Sequence, residues 1–334
     1  MARMKMDPRS VSVAPMLDWT DRHCRYFLRL ITPSARLFTE MITTGALMHG
    51  DRERFLQHDP SEHPLAIQLG GSDPEALAQC AVWSEQAGFD EVNLNVGCPS
   101  DRVQSGRFGA CLMLEPDTVA ASVAAMRGAV QLPVTVKCRL GVDEHDSYAM
   151  LHEFTEKLVD AGVSRLYVHA RKAWLKGLSP KQNREVPPLD YERVYRLKQA
   201  FPALEIHLNG GVTTVEEVVS HLQHVDGVMI GREAYHNPWM LARLEARLSG
   251  VSELSTRHAV VARLLPYVEE QLANGVRLHA ITRHILGLFQ SCPGARSWRR
   301  TLSEEAHRSD AGVEVIEQAL ACVPSENECA GSAA

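Results

Sequence analysis

None of the eight cysteines forms a Cys-x-x-Cys pair. That removes the usual spacing of a structural zinc site and argues against a disulfide framework, so a reducing cytoplasm is the expected home. No stretch approaches the roughly 18 uninterrupted apolar residues of a membrane-crossing helix. Residues 1–10 carry basic side chains but no apolar run behind them, so no signal peptide is expected. No repeat at a solenoid period is found. An excess of positive charge is also missing: the formal net charge is -6, which by itself argues mildly against a polyanionic partner. What remains is a soluble, globular composition, 45% hydrophobic and 23% charged over 334 residues, enough for one large domain and a small one.

The chain is organised around Glu91-Val92-Asn93-Leu94-Asn95-Val96-Gly97-Cys98-Pro99. Val92, Leu94 and Val96 alternate with polar residues at period two, the pattern of a strand. Gly97 breaks the run, and Pro99 steers Cys98 to an extended or turn backbone. Residues 100–113 show no helical period and hold Arg102, Gly106, Arg107 and Gly109. They are expected to form a long polar loop at a strand's C-terminal end.

Eight short apolar runs recur, at 11–16, 35–41, 65–70, 91–99, 134–140, 165–170, 205–211 and 227–232. Amphipathic helices are expected between them over 73–87, 116–127, 148–161, 191–200 and 214–224. Asp73-Pro74 signals a helix start, and Gly88 and Gly162 signal helix stops. Strand and helix alternating eight times predicts an α/β fold, a (β/α)8 TIM barrel. Beyond residue 245 the pattern turns all-helical, with expected helices at 257–274, 276–289, 296–307 and 312–322. The expected division is a barrel over 1–245, a helical domain over 255–322 and a disordered tail over 323–334.

In a barrel of this kind the strands' C-terminal ends build the active site. Those ends carry Met16-Leu17-Asp18, Glu40, Gln68, Asn95 with Cys98, Lys137 with Arg139, His169 with Arg171, Asn209-Gly210-Gly211 and Gly231-Arg232. Each has a structural explanation on its own: Cys98 as a buried thiol, Gln68 capping a barrel layer, Lys137 paired with Glu40, His169 a satisfied core histidine. Eight polar ends on one rim need another purpose, because a barrel interior is expected to be packed with branched apolar side chains. The glycines closing strands seven and eight leave backbone amides bare where barrels hold phosphate. A flavin mononucleotide fits this set. Gly210, Gly211, Gly231 and Arg232 would take its phosphate. Lys137 would sit by the N1/C2 edge of the ring, Gln68 would bond the pyrimidine edge, and Pro15-Met16 would pack below.

The segments Ala14-Pro15-Met16-Leu17-Asp18, Gln68-Leu69-Gly70, Asn93-Leu94-Asn95-Val96-Gly97-Cys98-Pro99, Val136-Lys137-Cys138-Arg139, His169-Ala170-Arg171 and Asn209-Gly210-Gly211 resemble the tRNA-dihydrouridine synthases. The likeness runs from about residue 10 to about 320. Residues 169–184 and Pro293-Gly294-Ala295-Arg296-Ser297-Trp298-Arg299-Arg300 resemble the A branch, which acts at positions 20 and 20a of the tRNA D-loop. The resemblance implies that NADPH reduces bound FMN, that hydride passes from flavin N5 to C6 of a flipped-out uracil, and that Cys98 protonates C5. A thiol, ordinarily near pKa 8.5, is mostly protonated at neutral pH yet able to give its proton up. The resemblance also implies that Asn95 contacts the uracil, with Lys137 and His169 between flavin and base.

Charge patterning points the same way. Residues 171–184 hold Arg171, Lys172, Lys176, Lys181 and Arg184 and no acid; residues 277–308 hold six arginines against Glu304 and Glu305. Phosphate contacts need such patches rather than a basic protein. Trp174 and Trp298, interleaved with them, suggest stacking on bases. By match to the A branch, Lys181, Arg184, Arg296, Arg299 and Arg300 are the expected tRNA contacts. No protein partner is implied. Asp143-Glu144-His145-Asp146 is expected to be a solvated loop rather than a metal site. Three rivals remain open: another flavin-dependent barrel reductase of dihydroorotate or enoate type, a Schiff-base lyase using Lys137, and a non-enzymatic RNA-binding protein.

Overall fold

The computed structural model of the chain describes residues 7–100, 106–250 and 255–324. Eight parallel strands form one sheet: β1 (Val11–Val13), β2 (Leu37–Thr43), β3 (Leu65–Gly70), β4 (Glu91–Val96), β5 (Val134–Arg139), β6 (Arg165–His169), β7 (Glu205–Asn209) and β8 (Gly227–Ile230). Their order is β1-β8-β7-β6-β5-β4-β3-β2. A parallel bridge between Ser12 and Arg36 brings the two ends of that order together. It is carried by Val13 N to Arg36 O at 2.9 Å and Arg36 N to Val11 O at 3.0 Å. The result is the expected (β/α)8 barrel.

The local signals for helices act as the sequence suggests. Asp73 accepts from the amide of Ala76 and Pro74 opens the helix Pro74–Gln86. Thr214 and Glu217 form a reciprocal capping box at the start of Val215–His221. Gly88 and Gly162 end their helices at φ +91° and +84°, a region costly for any residue with a Cβ. Between β2 and β3 the chain adds two short helices, Thr44–His49 and Arg52–Leu56, which the apolar periodicity did not announce.

The chain divides into two compact units. One comprises Arg9–Asp18 and Arg36–Gly231; the other takes in Trp19–Ala35 and the chain from Arg232 onward. The second unit includes the helix Arg22–Ile31, where Asp21 receives the guanidinium of Arg283 at 2.5 Å and the ring of His284 at 3.0 Å. Its further helices are Arg232–His236, Trp239–Ser249, Arg257–Ala273, Leu278–Thr282, Ala295–Glu305 and Glu314–Leu320. The helix expected over 276–289 ends at Thr282. Beyond it, Ile285, Leu288, Gln290 and Cys292 each bond back three residues. Gly287 lies in this stretch against the backbone of His236: a Cβ there would be 2.3 Å from that carbonyl oxygen, so only glycine fits the approach. Most of the tail lies outside the described residues. No described helix is long and apolar enough to cross a membrane.

Only part of the barrel interior is the apolar packing expected of it. Ala14, Phe38, Ala66, Tyr167 and Met229 make a compact apolar cluster with Met16 against it. Glu91, Asn93, Thr135 and Gln68 are just as buried. In a strand buried on both faces, Val92, Leu94 and Val96 turn one way and Glu91, Asn93 and Asn95 the other. The polar set therefore faces its register partners Gln68, Thr135 and Lys137 on the neighbouring strands.

Candidate active site

The turn after β4 is built by Asn95. Its Oδ1 accepts from the amides of Gly97 at 3.1 Å and Cys98 at 3.0 Å. This side-chain cap holds the cysteine at the strand end, as Asx turns do. Cys98 is half-buried, and its Sγ lies 3.5 Å from Ser100 Oγ. Its carbonyl receives the amide of Ala110 at 2.9 Å, from the 3-10 helix Gly109–Leu114. That helix closes a stretch expected to be loop throughout. Arg102 lies outside the described residues. Cys138, by contrast, is buried, and burial pushes its thiol up to about 12, so it is inert.

Beside this turn stand Lys137 and His169. Among the described residues, Lys137 Nζ meets no carboxylate within ion-pair range and the His169 ring has no hydrogen-bond partner. Glu40, the acid proposed above for Lys137, accepts the backbone amide of Asp18 at 2.5 Å. Burial, then the charge of Arg139, push the Lys137 ammonium down to about 8. Burial, then Arg139, Lys137, Arg171 and Arg184, hold His169 well below its ordinary value, so the ring is neutral at neutral pH. Polar groups left without partners among the described residues at a strand-end rim are of the kind a ligand can satisfy.

The glycines divide into two kinds. Gly210 and Gly211 have φ +113° and +74°, and a Cβ on either would lie 2.5 Å from His169 or Leu189 respectively. The fold alone requires glycine there. Gly231 is different: its backbone is in the ordinary region, and a Cβ would meet only Ala14 Cβ at 4.0 Å. Among the described residues nothing else comes within 4 Å of that position. The helices that follow are short, Val215–His221 and Arg232–His236, so bare amides rather than helix ends are the feature on offer. Asn209 is committed elsewhere, its Nδ2 donating to Met229 O at 2.8 Å. Pro15 and Met16 are half-buried at the end of β1, while Leu17 and Asp18 are exposed, Asp18 at φ +64°.

Arg139 was noticed in the sequence only as one rim cation, and the structure shows it as a tie. From a position 3% exposed it donates to Gly97 O at 2.9 Å, Lys172 O at 3.0 Å and Asn183 O at 3.0 Å. Asn183, fully buried, pins the basic segment from within: Oδ1 accepts from Trp174 N at 2.7 Å and Nδ2 donates to Trp174 O at 2.9 Å. Asp143 Oδ1 accepts from Leu175 N at 2.8 Å, and Asp146 pairs with Lys172 at 3.1 Å, so those acids brace the same segment. Lys181 and Arg184 remain exposed on it.

In the helical unit, Arg296 and Arg300 are exposed and Arg299 half-buried on the helix Ala295–Glu305. The base-stacking expectation for Trp298 is overturned. It is fully buried, packs edge-on against Phe289 and donates Nε1 to Ile285 O at 3.2 Å. Trp174 is half-buried under the Lys172 ammonium at 4.2 Å. Arg283 and Arg308 are taken by Asp21 and by Glu305 with Asp310.

Over residues 12–324 the chain matches the family model described as dihydrouridine synthase (Dus). It is 57% identical over 319 residues to a tRNA-dihydrouridine(20/20a) synthase of Shewanella oneidensis, covering 95% of both chains. It is 59% identical over 324 residues to the protein of that name in Yersinia pestis, covering 96% of this chain and 93% of that one. A third, from Xanthomonas axonopodis pv. citri, is 60% identical over 310 residues, 93% of this chain and 92% of that one.

Proposed function

The chain belongs to the dihydrouridine synthase family, and we propose on that premise that it reduces the C5=C6 bond of uridine in the tRNA D-loop, at positions 20 and 20a, to dihydrouridine. The observation that supports this most directly is the Cys98 turn standing beside Lys137 and His169, which have no protein partner among the described residues, at one rim. Neither the rival flavin reductases nor an RNA-binding protein without chemistry calls for that grouping together with a pinned basic segment.

FMN, with NADPH as its reductant, supplies the hydride chemistry when bound. Gly231, Gly210, Gly211 and the next residue along the chain from Gly231, Arg232, would hold its phosphate, and Lys137 and Gln68 its ring; Pro15, Met16, Leu17 and Asp18 line the approach from β1. Cys98 carries the proton that C5 requires, with Ser100 Oγ near its sulfur. Asn95 has one N–H left after its bond to Gln68 and is the group to meet the uracil. His169, held neutral, offers polarity without a competing charge. Lys181 and Arg184 in the barrel unit, and Arg296, Arg299 and Arg300 in the helical unit, are assigned to tRNA phosphates.

The experiment is direct. Purified protein, FMN, NADPH and an unmodified tRNA transcript should yield dihydrouridine at positions 20 and 20a. Dihydrouridine at other D-loop positions, or NADPH consumption without any dihydrouridine, would sink the assignment. A colourless protein trapped on Lys137 by borohydride would restore the lyase reading.

A further inference from the structure

Five buried side chains form one unbroken line of hydrogen bonds from the floor of the barrel to the cysteine turn. Thr135 Oγ1 donates to Glu91 Oε1 at 2.6 Å, and Asn93 Nδ2 donates to Thr135 Oγ1 at 2.8 Å. Gln68 Nε2 donates to Asn93 Oδ1 at 2.8 Å, and Asn95 Nδ2 donates to Gln68 Oε1 at 2.7 Å. Asn95 Oδ1 then accepts the amides of Gly97 and Cys98. All five residues are 8% exposed or less.

The two ends determine the direction of every link. Glu91 is held by Arg165 at 2.7 Å and Arg36 at 3.3 Å, and Tyr167 donates to it at 3.1 Å; a carboxylate among such donors only accepts. The backbone amides at the other end only donate. Between an acceptor-only floor and a donor-only top, turning over any one amide sets N–H against N–H at one bond and oxygen against oxygen at the next. In a buried site neither is relieved by water.

We propose that Glu91, acting through Thr135 and Asn93, is a positioning residue for the reaction: it sets the orientation of the Gln68 and Asn95 amides and so holds the Cys98 turn. The assignment of uridine reduction to this rim is the reading on which this rests. Thr135 is the relay, because its hydroxyl both donates and accepts. Its consequence at the rim is chemical: Gln68 and Asn95 each keep one N–H uncommitted, so both present donors, suited to carbonyl or ring-nitrogen acceptors of a flavin or uracil edge.

The test separates hydroxyl from volume. Thr135→Val keeps the shape and cuts the line while leaving the ion pairs of Glu91 in place; Thr135→Ser keeps the hydroxyl and loses a methyl. Thr135→Val should lower the single-turnover rate of uridine reduction roughly 10- to 100-fold with little change in KM for tRNA. Iodoacetamide labelling of the Cys98 peptide, followed by mass spectrometry, should rise at least about threefold. Thr135→Ser should return both to within about twofold of the starting protein. A defect confined to Thr135→Ser, equal defects in both, or none in either would overturn the proposal. Labelling needs no turnover, so it remains decisive even if the wild-type protein proved not to reduce uridine.

Discussion

Arg139 donates from Nε to the carbonyl of Gly97 at 2.9 Å, one residue before Cys98. Because the same guanidinium also holds Lys172 O and Asn183 O, the cysteine turn and the basic segment share one buried cation. Arg139→Met would leave these carbonyls unmet, at a cost of roughly 1–3 kcal/mol. The melting temperature should fall by several degrees, and KM for tRNA should rise more than FMN affinity falls. Equal losses in both would mean a general loosening of the barrel instead.

Cys98→Ala removes the thiol and leaves the asparagine-capped turn, since Asn95 bonds only backbone amides there. NADPH should still bleach the flavin. Uridine reduction should fall roughly 10²- to 10⁴-fold, the usual worth of a positioned acid. If bleaching slowed as much as uridine reduction, Cys98 would be a structural residue.

Gly231 gives the cleaner test of the phosphate position. Gly231→Val has room on the protein side, so its melting temperature should stay close to that of the starting protein while bound FMN drops at least tenfold. Gly211→Val would be a poor test, because the added Cβ strikes Leu189 and Tyr191 and the fold suffers with the cofactor. Full flavin occupancy in a stably folded Gly231→Val would move the phosphate elsewhere.

Lys137 should impose a pH limb on cofactor binding. Its pKa in the folded protein is lowered to about 8, first by burial and then by Arg139. The ammonium is therefore present below about pH 8 and lost above it, well before an ordinary lysine loses its proton. FMN affinity of the apoprotein, followed by fluorescence quenching, should weaken as pH rises from 7 to 9.5, and Lys137→Met should flatten that limb. The stability sign is opposite. A lysine with a lowered folded pKa opposes folding fully below about pH 8 and is relieved as pH rises toward its ordinary value, so Lys137→Met should be at least as stable as wild type at pH 7.

The tRNA assignment is tested by salt. Lys181→Ala, Arg296→Ala and Arg299→Ala should each weaken tRNA binding and reduce the slope of log affinity against log salt by about one. Arg299 already shares a long bond with Gln290 at 3.4 Å, so its share should be smallest. NADPH oxidation without tRNA should be unaffected. A triple variant with wild-type efficiency and salt response would redirect attention to Arg107, exposed at φ +53°.

The architecture was legible in the sequence because it is written in local periods. Alternation at two and at 3.6, with glycine stops at 88 and 162, gives eight strands, most of the helices and the polar residues at the strand ends. Cys98, Lys137, His169 and the glycines after β7 and β8 were singled out by type and by position along the chain. The Glu91-Asn93-Asn95 alternation was visible too, but not which side of the strand faced inward, since that depends on what covers both faces. Trp298 carries an amphipathic sequence context and only packing against Phe289 shows it as core. The line from Glu91 to Cys98, the three carbonyls on Arg139 and the open space before Gly231 join residues tens of positions apart. They arise when barrel closure brings separate strands to hydrogen-bonding distance, a long-range condition that no local pattern carries.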